Sequence, residues 1–269
     1  MHGLTWLAAG RQSGGNSAHY LITGYLLDAP PAEVSLEEAF EVAPNLVRLF
    51  SWGRMVPLDE NRPYVVKADG MPGEEILDPY REATEKVVYL VRDPRTVIGS
   101  IVRNSRPEPG ERQERAKRLI ARLGAVSRSP DERGTWEQHV REWTSPRRAR
   151  AHFPNLKDVC VLRYEDLLAD PAGALRRFVE FLGVLGPVDE DRVRRTVAAW
   201  TPESVRDAPI SERLPGMAAF EEPRRRRPSA PEPVPSLAEI GTDVEAAYQR
   251  RLREDEEFAA LVRRFGYET

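Results

Sequence analysis

The segment from Glu85 to Asn104, EKVVYLVRDPRTVIGSIVRN, restricts the fold more than any other stretch of the chain. Val87-Val88-Tyr89-Leu90-Val91 is an unbroken apolar run rich in β-branched residues, the pattern of a strand covered on both faces. Arg92-Asp93-Pro94-Arg95 ends it, because a central strand does not accept proline. Asp93 suits an N-cap and Pro94 a first helical position, so the sequence predicts a helix carrying Thr96 to Arg103. A strand-end arginine beside a new helix N-terminus is the geometry of a phosphate site at the carboxyl edge of a parallel sheet. Arg92 would grip the anion through a forked contact, and Ser100, two turns on, could add a hydroxyl. The plainer alternative has Arg92 capping its own sheet and Ser100 facing solvent.

The rest of the chain supplies matching units. Leu4 to Ala9 reads as a first strand, Gly10 to Ser17 as a glycine-rich turn, and Ala18 to Leu27 as a helix. In a strand–turn–helix of this kind backbone N–H groups can wrap a phosphate, although such a turn also serves as a simple connection. No Gly-Lys-Ser/Thr closes it, so it is not a Walker A loop. Short helices are expected over Ser35 to Phe40, with Ser35 and Glu38 as a capping box, and over Pro44 to Phe50. Tyr64 to Lys67 and Val159 to Arg163 read as further strands, with Tyr164 to Leu168 turning out of the latter. Trp136 to Trp143, Pro171 to Leu182 (stopped by Gly183) and Asp189 to Ala199 read as helices, and Leu237 to Phe265 as a helical tail. Residues 105–135 are charged and are expected to be a mobile helical insertion or lid. Residues 208–235, rich in proline and arginine, are expected to be a linker or flexible flap. The alternation of strands and helices predicts a single doubly wound α/β domain over 1–269, with a central, mostly parallel sheet.

Composition narrows the function classes. A net charge of −3 argues against bulk nucleic-acid binding, and no apolar run approaches a membrane span. Met1 to Gly10 lacks the pattern of a secretory signal, which with the single cysteine, Cys160, points to the cytoplasm. Arginine far outnumbers lysine and suits bidentate recognition of phosphate or sulfate, although most arginine pairs here fit solvated helix faces. A homodimer is compatible with the sequence, and the oligomeric state stays open.

At this point the chain resembles the sulfotransferases that use 3'-phosphoadenosine 5'-phosphosulfate (PAPS). The resemblance rests on Tyr89-Leu90-Val91-Arg92-Asp93-Pro94-Arg95 with Ser100, on Trp136, His139 and Trp143, and on Leu162-Arg163-Tyr164-Glu165-Asp166-Leu167 with Asp170-Pro171. Trp6-Leu7-Ala8-Ala9, Glu82-Ala83-Thr84, Gly186-Pro187-Val188-Asp189 and Phe265-Gly266-Tyr267 look closest to actinobacterial enzymes that sulfate glycopeptide antibiotics. The resemblance implies a three-layer fold, PAPS as donor with 3',5'-ADP as product, no metal, and a small-molecule hydroxyl as acceptor. It assigns the 3'-phosphate to Arg92 and Ser100, and the 5'-phosphosulfate to Arg11, Gln12, Ser13, Gly14, Gly15, Asn16 and Ser17. It also lays Arg224 and Arg225, within the Arg224 to Arg227 run, over the 3'-phosphate, and puts Trp200 and Thr201 near the nucleotide.

Two positions depart from the family pattern. The loop lysine that neutralises the leaving oxygen is Gln12, with Arg11 beside it as a substitute if the loop shifts by one residue. The histidine base two residues after a strand-ending lysine is Asp69, in Lys67-Ala68-Asp69. A carboxylate can accept the proton, but it would repel the donor unless Lys67 or Arg11 pairs with it. Asp69 as base, a structural Asp69 and a base elsewhere, His19 being the nearest rival, all stay open. His139 suits packing, His152 the surface, and His2 a frayed terminus. Three functions follow: a PAPS-dependent sulfotransferase, a nucleotide-binding homologue without turnover, and a kinase, against which the missing Walker lysine weighs.

Overall fold

The computed structural model describes residues 3–58, 65–105, 107–122, 135–183, 185–206, 208 and 233–268. Four strands, β1 (Leu4–Ala9), β2 (Val65–Ala68), β3 (Thr84–Val91) and β4 (Asp158–Arg163), form one sheet in the order β2-β1-β3-β4. Every neighbouring pair is parallel, with Ala8 opposite Ala68, Ala9 opposite Leu90 and Val91 opposite Arg163. All four carboxyl ends therefore emerge along one edge. The chain leaves β1 toward β2 and leaves β3 toward β4, so the connections diverge between β1 and β3. Open parallel sheets bind ligands at such a divergence.

Three helices, α1 (Gly15–Leu27), α2 (Leu36–Val42) and α3 (Leu46–Ser51), follow β1. Between β3 and β4 lie α4 (Pro94–Ser105), α5 (Arg112–Arg122), α6 (Trp136–Thr144) and α7 (Pro146–His152). After β4 come α8 (Tyr164–Ala169), α9 (Pro171–Leu182), α10 (Glu190–Ala199) and α11 (Pro202–Arg206). The C-terminal helices are α12 (Leu237–Ile240), α13 (Thr242–Glu254) and α14 (Glu256–Arg264). Because strand side chains alternate, Trp6, Ala8, Val87 and Tyr89 join one core, whereas Leu7, Ala9, Val88 and Leu90 join a second on the opposite face. The first core takes residues from α3 to α7 and α12 to α14; the second takes them from α1, α2 and α8 to α11. This is the doubly wound architecture. Cys160 lies in the second core, where burial pushes its thiol pKa up.

The local signals place most boundaries. Ser35 and Glu38 form the expected capping box, Asp170 caps α9, and Gly183 ends that helix at φ 66°. The structure also adds the short helix α11 and differs at three further places. Tyr164 to Leu168 enters a helix rather than a turn, α7 is additional, and the tail is three helices broken at Gly241 and Asp255. Within the segment expected to be a mobile insertion, α5 is anchored: Ala116, Leu119 and Ile120 are buried, and Lys117 pairs with Asp243 on α13 at 2.5 Å. Tyr64, residues 123–134 and residues 209–232, with Arg224 and Arg225 among them, lie outside the described residues.

Trp6 organises the first core. Its indole N–H donates to Thr84 Oγ1 at 2.9 Å, and its ring meets Tyr80 edge-on at 5.7 Å and Trp143 at 6.5 Å. Trp6→Ala should therefore lower stability by about 3–5 kcal/mol. In urea unfolding this appears as a lower midpoint with an unchanged slope.

Candidate functional site

The divergence point is built from the loop after β1 and the end of β3. Gly14 sits at φ 86°, and a Cβ there would lie 2.0 Å from the Tyr164 ring. A Cβ on Gly15 would lie 2.8 Å from that of Ala9. Glycine is thus what brings this backbone so close to β1 and to the start of α8. The turn is closed by Ser13 N–H to Gly10 O at 3.1 Å and Ser17 N–H to Gly14 O at 2.9 Å. Ser13 is buried, Ser17 half-buried, and Arg11 and Asn16 exposed. The first N–H groups of α1, a 13-residue helix, open toward this edge with no intrahelical acceptor.

Arg92 reaches across from β3. Its Nη1 donates to the Gln12 carbonyl at 2.7 Å, and its guanidinium lies 4.5 Å above the Tyr164 ring. Its Nε is buried with no acceptor among the described residues. Ser100 Oγ and Asn104 Nδ2 both donate to Gln12 Oε1, at 3.0 and 2.9 Å. Gln12 itself stands at φ 60°, a backbone state uncommon outside glycine. Burial lowers the Arg92 pKa from its usual value, opposed by Tyr164 and Glu165. Asp93 caps α4 as expected: its Oδ1 accepts from Arg95 N–H at 2.8 Å, and its N–H donates to Glu165 Oε1 at 3.1 Å.

The second feature is an ion pair at the end of β2. Lys67 Nζ, with a side chain only 3% exposed, lies 2.6 and 2.5 Å from the two Asp69 oxygens. Asp69 is 31% exposed. Both side chains abut Gly15: a Cβ there would lie 3.5 Å from Lys67 Cε and 3.8 Å from Asp69 Oδ1. His19, one turn further along α1, is buried, and its Nε2 donates to the Ala43 carbonyl at 2.6 Å. Burial lowers its pKa from 6.5 to about 4, with Lys67 and Arg48 adding to the effect, so the ring is neutral near pH 7.

The structure thus brings Gln12, Arg92 and Ser100 into direct contact and sets Asp69 against the start of α1. His139 shares a 2.9 Å hydrogen bond with Tyr89 and packs beside Trp143, and half-buried His152 faces Glu142. Trp200 donates to Ala29 O at 2.9 Å and packs on Gly24, while Thr201 accepts from Ser204 N–H. Those two contacts fasten a helix corner. Sequence reasoning passes over Asn104, although it lies one turn beyond Ser100 on the same helix face. It also passes over Tyr164 as the platform under Arg92. Among the described residues no three His, Cys, Asp or Glu side chains are arranged to hold a metal ion, and no helix is long and apolar enough to cross a membrane.

Comparison with known proteins agrees with this architecture. The sequence profile of the sulfotransferase domain matches residues 46–227, so β1, the Gly10–Gly14 loop and α1 lie outside the match. Mouse (Mus musculus) sulfotransferase 2B1 is 24% identical over 192 residues, covering 70% of this chain and 51% of that protein. The chain therefore spans about half the length of this curated relative. Mouse sulfotransferase SULT7A1, solved in complex with PAP, has the same fold: a TM-score of 0.53 at 12% identity, over 100% of this chain and 89% of that one. A retinol dehydratase in complex with androsterone and inactive cofactor PAP gives a TM-score of 0.47 at 20% identity, over 76% of this chain and 66% of that one.

His19 makes stability depend on pH. Its pKa is lower folded (about 4) than the ordinary 6.5, so between these values the unfolded chain binds the extra proton. The contribution is fully present above pH 6.5 and is lost as pH falls toward 4. In urea titrations His19→Gln should flatten the loss of stability between pH 7 and 5; an unchanged slope would remove His19 as its source.

Proposed function

The chain belongs to the sulfotransferase family, and on that premise we propose that it transfers a sulfuryl group from PAPS to a hydroxyl of a small molecule, releasing 3',5'-ADP. The observation that carries this reading is the half-buried Arg92 at the divergence of β1 and β3. It has an orphaned Nε and two neighbouring donors, Ser100 and Asn104. A buried cation with too few acceptors fits an anion of the size and charge of a phosphate. The Gly10–Gly14 turn and the α1 N-terminus offer a second anion cradle for the 5'-phosphosulfate. The two cradles meet through Gln12, whose backbone binds Arg92 and whose amide binds Ser100 and Asn104.

In the reaction the acceptor oxygen attacks sulfur in line. The bond from sulfur to the bridging phosphate oxygen breaks, and its electron pair leaves on 3',5'-ADP. Gln12 cannot neutralise that oxygen, so positive potential comes from Lys67, whose side chain ends against Gly15, from the α1 N-terminus and from neighbouring Arg11. Asp69 takes the acceptor proton. Lys67 pairs with it directly, which offsets the repulsion a free carboxylate would exert on a polyanionic donor. The acceptor is a secondary metabolite such as a glycopeptide antibiotic, a reading that rests on the sequence resemblance, and the reaction takes place in the cytoplasm.

A second reading has the protein bind nucleotide without turnover. Gln12 in place of lysine and Asp69 in place of histidine favour it. Two measurements separate the readings. With labelled PAPS and phenolic or glycopeptide acceptors, the wild type should transfer label, and Asp69→Asn should cut kcat about 10²-fold or more while 3',5'-ADP affinity holds. Tight 3',5'-ADP binding with no transfer to any acceptor selects the second reading. In that case Gln12→Lys combined with Asp69→His should create turnover.

A further inference from the structure

Behind the Gly10–Gly14 turn lies a buried polar pair that the proposed reaction does not use. Tyr89, three residues before Arg92 on β3, shares a 2.9 Å hydrogen bond with Nδ1 of His139 on α6, and both side chains are buried. The backbone of Gly10 makes a second hydrogen bond to the same hydroxyl. The groups converge on one point: a Cβ on Gly10 would lie 3.4 Å from Ser13 Oγ, 3.7 Å from Tyr89 Oη and 3.8 Å from His139 Nδ1. Withdrawing a phenol and an imidazole from water is unfavourable unless their polar atoms find partners, and apolar side chains would fill a core without that cost.

Burial sets the direction of the bonds. It raises the pKa of Tyr89 well above its usual value, so the hydroxyl keeps its proton. The oxygen accepts from Gly10 N–H, and the proton is donated to His139 Nδ1. The Gly10 carbonyl in turn accepts from Ser13 N–H at 3.1 Å, so residue 10 is held on both sides. Strand β3 therefore grips the turn twice, at Gly10 through Tyr89 and at Gln12 through Arg92.

Helix α6 is a firm mount for this contact. It opens with a capping box between Thr135 and Gln138, and Glu137 in its first turn pairs with Arg251 of α13 at 2.8 Å. Trp136, His139 and Trp143 share one face of the helix. Trp136 donates to Arg92 O at 3.2 Å, His139 binds Tyr89, and Trp143 donates at 2.9 Å to the carbonyl of Gly70, the residue after Asp69. One helix face thus backs the arginine, the turn and the end of β2.

We infer that Tyr89 and His139 are positioning residues: the relay from Gly10 N–H through the Tyr89 hydroxyl to His139 holds the turn at the height where its N–H groups meet the donor's 5'-phosphate. The identity of the bound group rests on the sulfotransferase reading, whereas the hold on the turn rests on these contacts alone.

The test takes two readouts from the full chain. Amide hydrogen exchange over residues 10–17 reads the turn without ligand. Calorimetric affinities for 3',5'-ADP and for adenosine 3'-phosphate, which lacks the 5'-phosphate, read what the turn adds to binding. Tyr89→Phe removes only the hydroxyl. It should speed exchange over 10–17 about tenfold and cut the ratio of the two affinities about tenfold, with adenosine 3'-phosphate bound as in the wild type. His139→Leu should do the same, and His139→Asn, whose Oδ1 can stand in for Nδ1, should recover most of both effects. A merely structural role would lower the urea midpoint and leave the affinity ratio alone. Unchanged exchange in Tyr89→Phe, equal wild-type affinities for the two nucleotides, or a wild-type preference for 3',5'-ADP that survives in Tyr89→Phe would overturn the inference. Faster exchange in the variants, with neither nucleotide bound by the wild type, would instead count against the donor assignment and leave the hold on the turn standing.

Discussion

A half-buried guanidinium that, among the described residues, meets only one carbonyl and one ring face is the constraint on which this sheet edge depends. Arg92 joins the end of β3 to the loop after β1 by a 2.7 Å bond, at the point where the chain's connections part. Taking such a charge out of water is unfavourable unless donors and acceptors are matched, and here they are not: Nε has no acceptor among the described residues. The surroundings hold the side chain in place all the same. Tyr164 supports its face, and Trp136 donates to its backbone carbonyl at 3.2 Å. Glu165, which binds Asp93 N–H and the Tyr267 hydroxyl, fixes the turn behind it. On the proposed reading the donor's phosphate supplies the anion that such a cation lacks.

The departures from the family pattern become intelligible at the same edge. Gln12 keeps the mechanical role of linking the loop to α4, because its amide oxygen accepts from both Ser100 and Asn104. It brings no charge. On the proposed reading Lys67, which is buried and arrives from the neighbouring strand, supplies the positive potential that the loop lacks. Asp69 holds that amine with both oxygens. On the proposed reading, donor binding competes with Asp69 for Lys67, and that competition would loosen the carboxylate for its part in the proton transfer. The family match spans residues 46–227, so it includes the Arg92 segment and leaves out the loop and the first helix.

The fold was legible in the sequence wherever the signal was local. The β-branched run before Arg92, the Asp93-Pro94 start, the Ser35–Glu38 box and Gly183 each act within four residues, and the backbone follows them. Apolar periodicity hid the breaks at Gly241 and Asp255, because the helices on either side bury one continuous face. The site was legible in part. Arg92 and Ser100 carry their own context, whereas the placement of Asn104 and Tyr164 is set by what lies across space: a loop glutamine and a half-buried cation. No spacing rule within one segment reports such contacts.

Sulfuryl transfer at this sheet edge requires that residue 92 bind the donor's phosphate. The direct measurement is 3',5'-ADP affinity by calorimetry for the wild type, Arg92→Ala and, as a control, Arg95→Ala, whose guanidinium is already clasped by Asp93. Loss of one charge-assisted contact should weaken binding about 10- to 100-fold in Arg92→Ala and far less in Arg95→Ala. An Arg92→Ala protein that folds and binds 3',5'-ADP as tightly as the wild type would contradict the account.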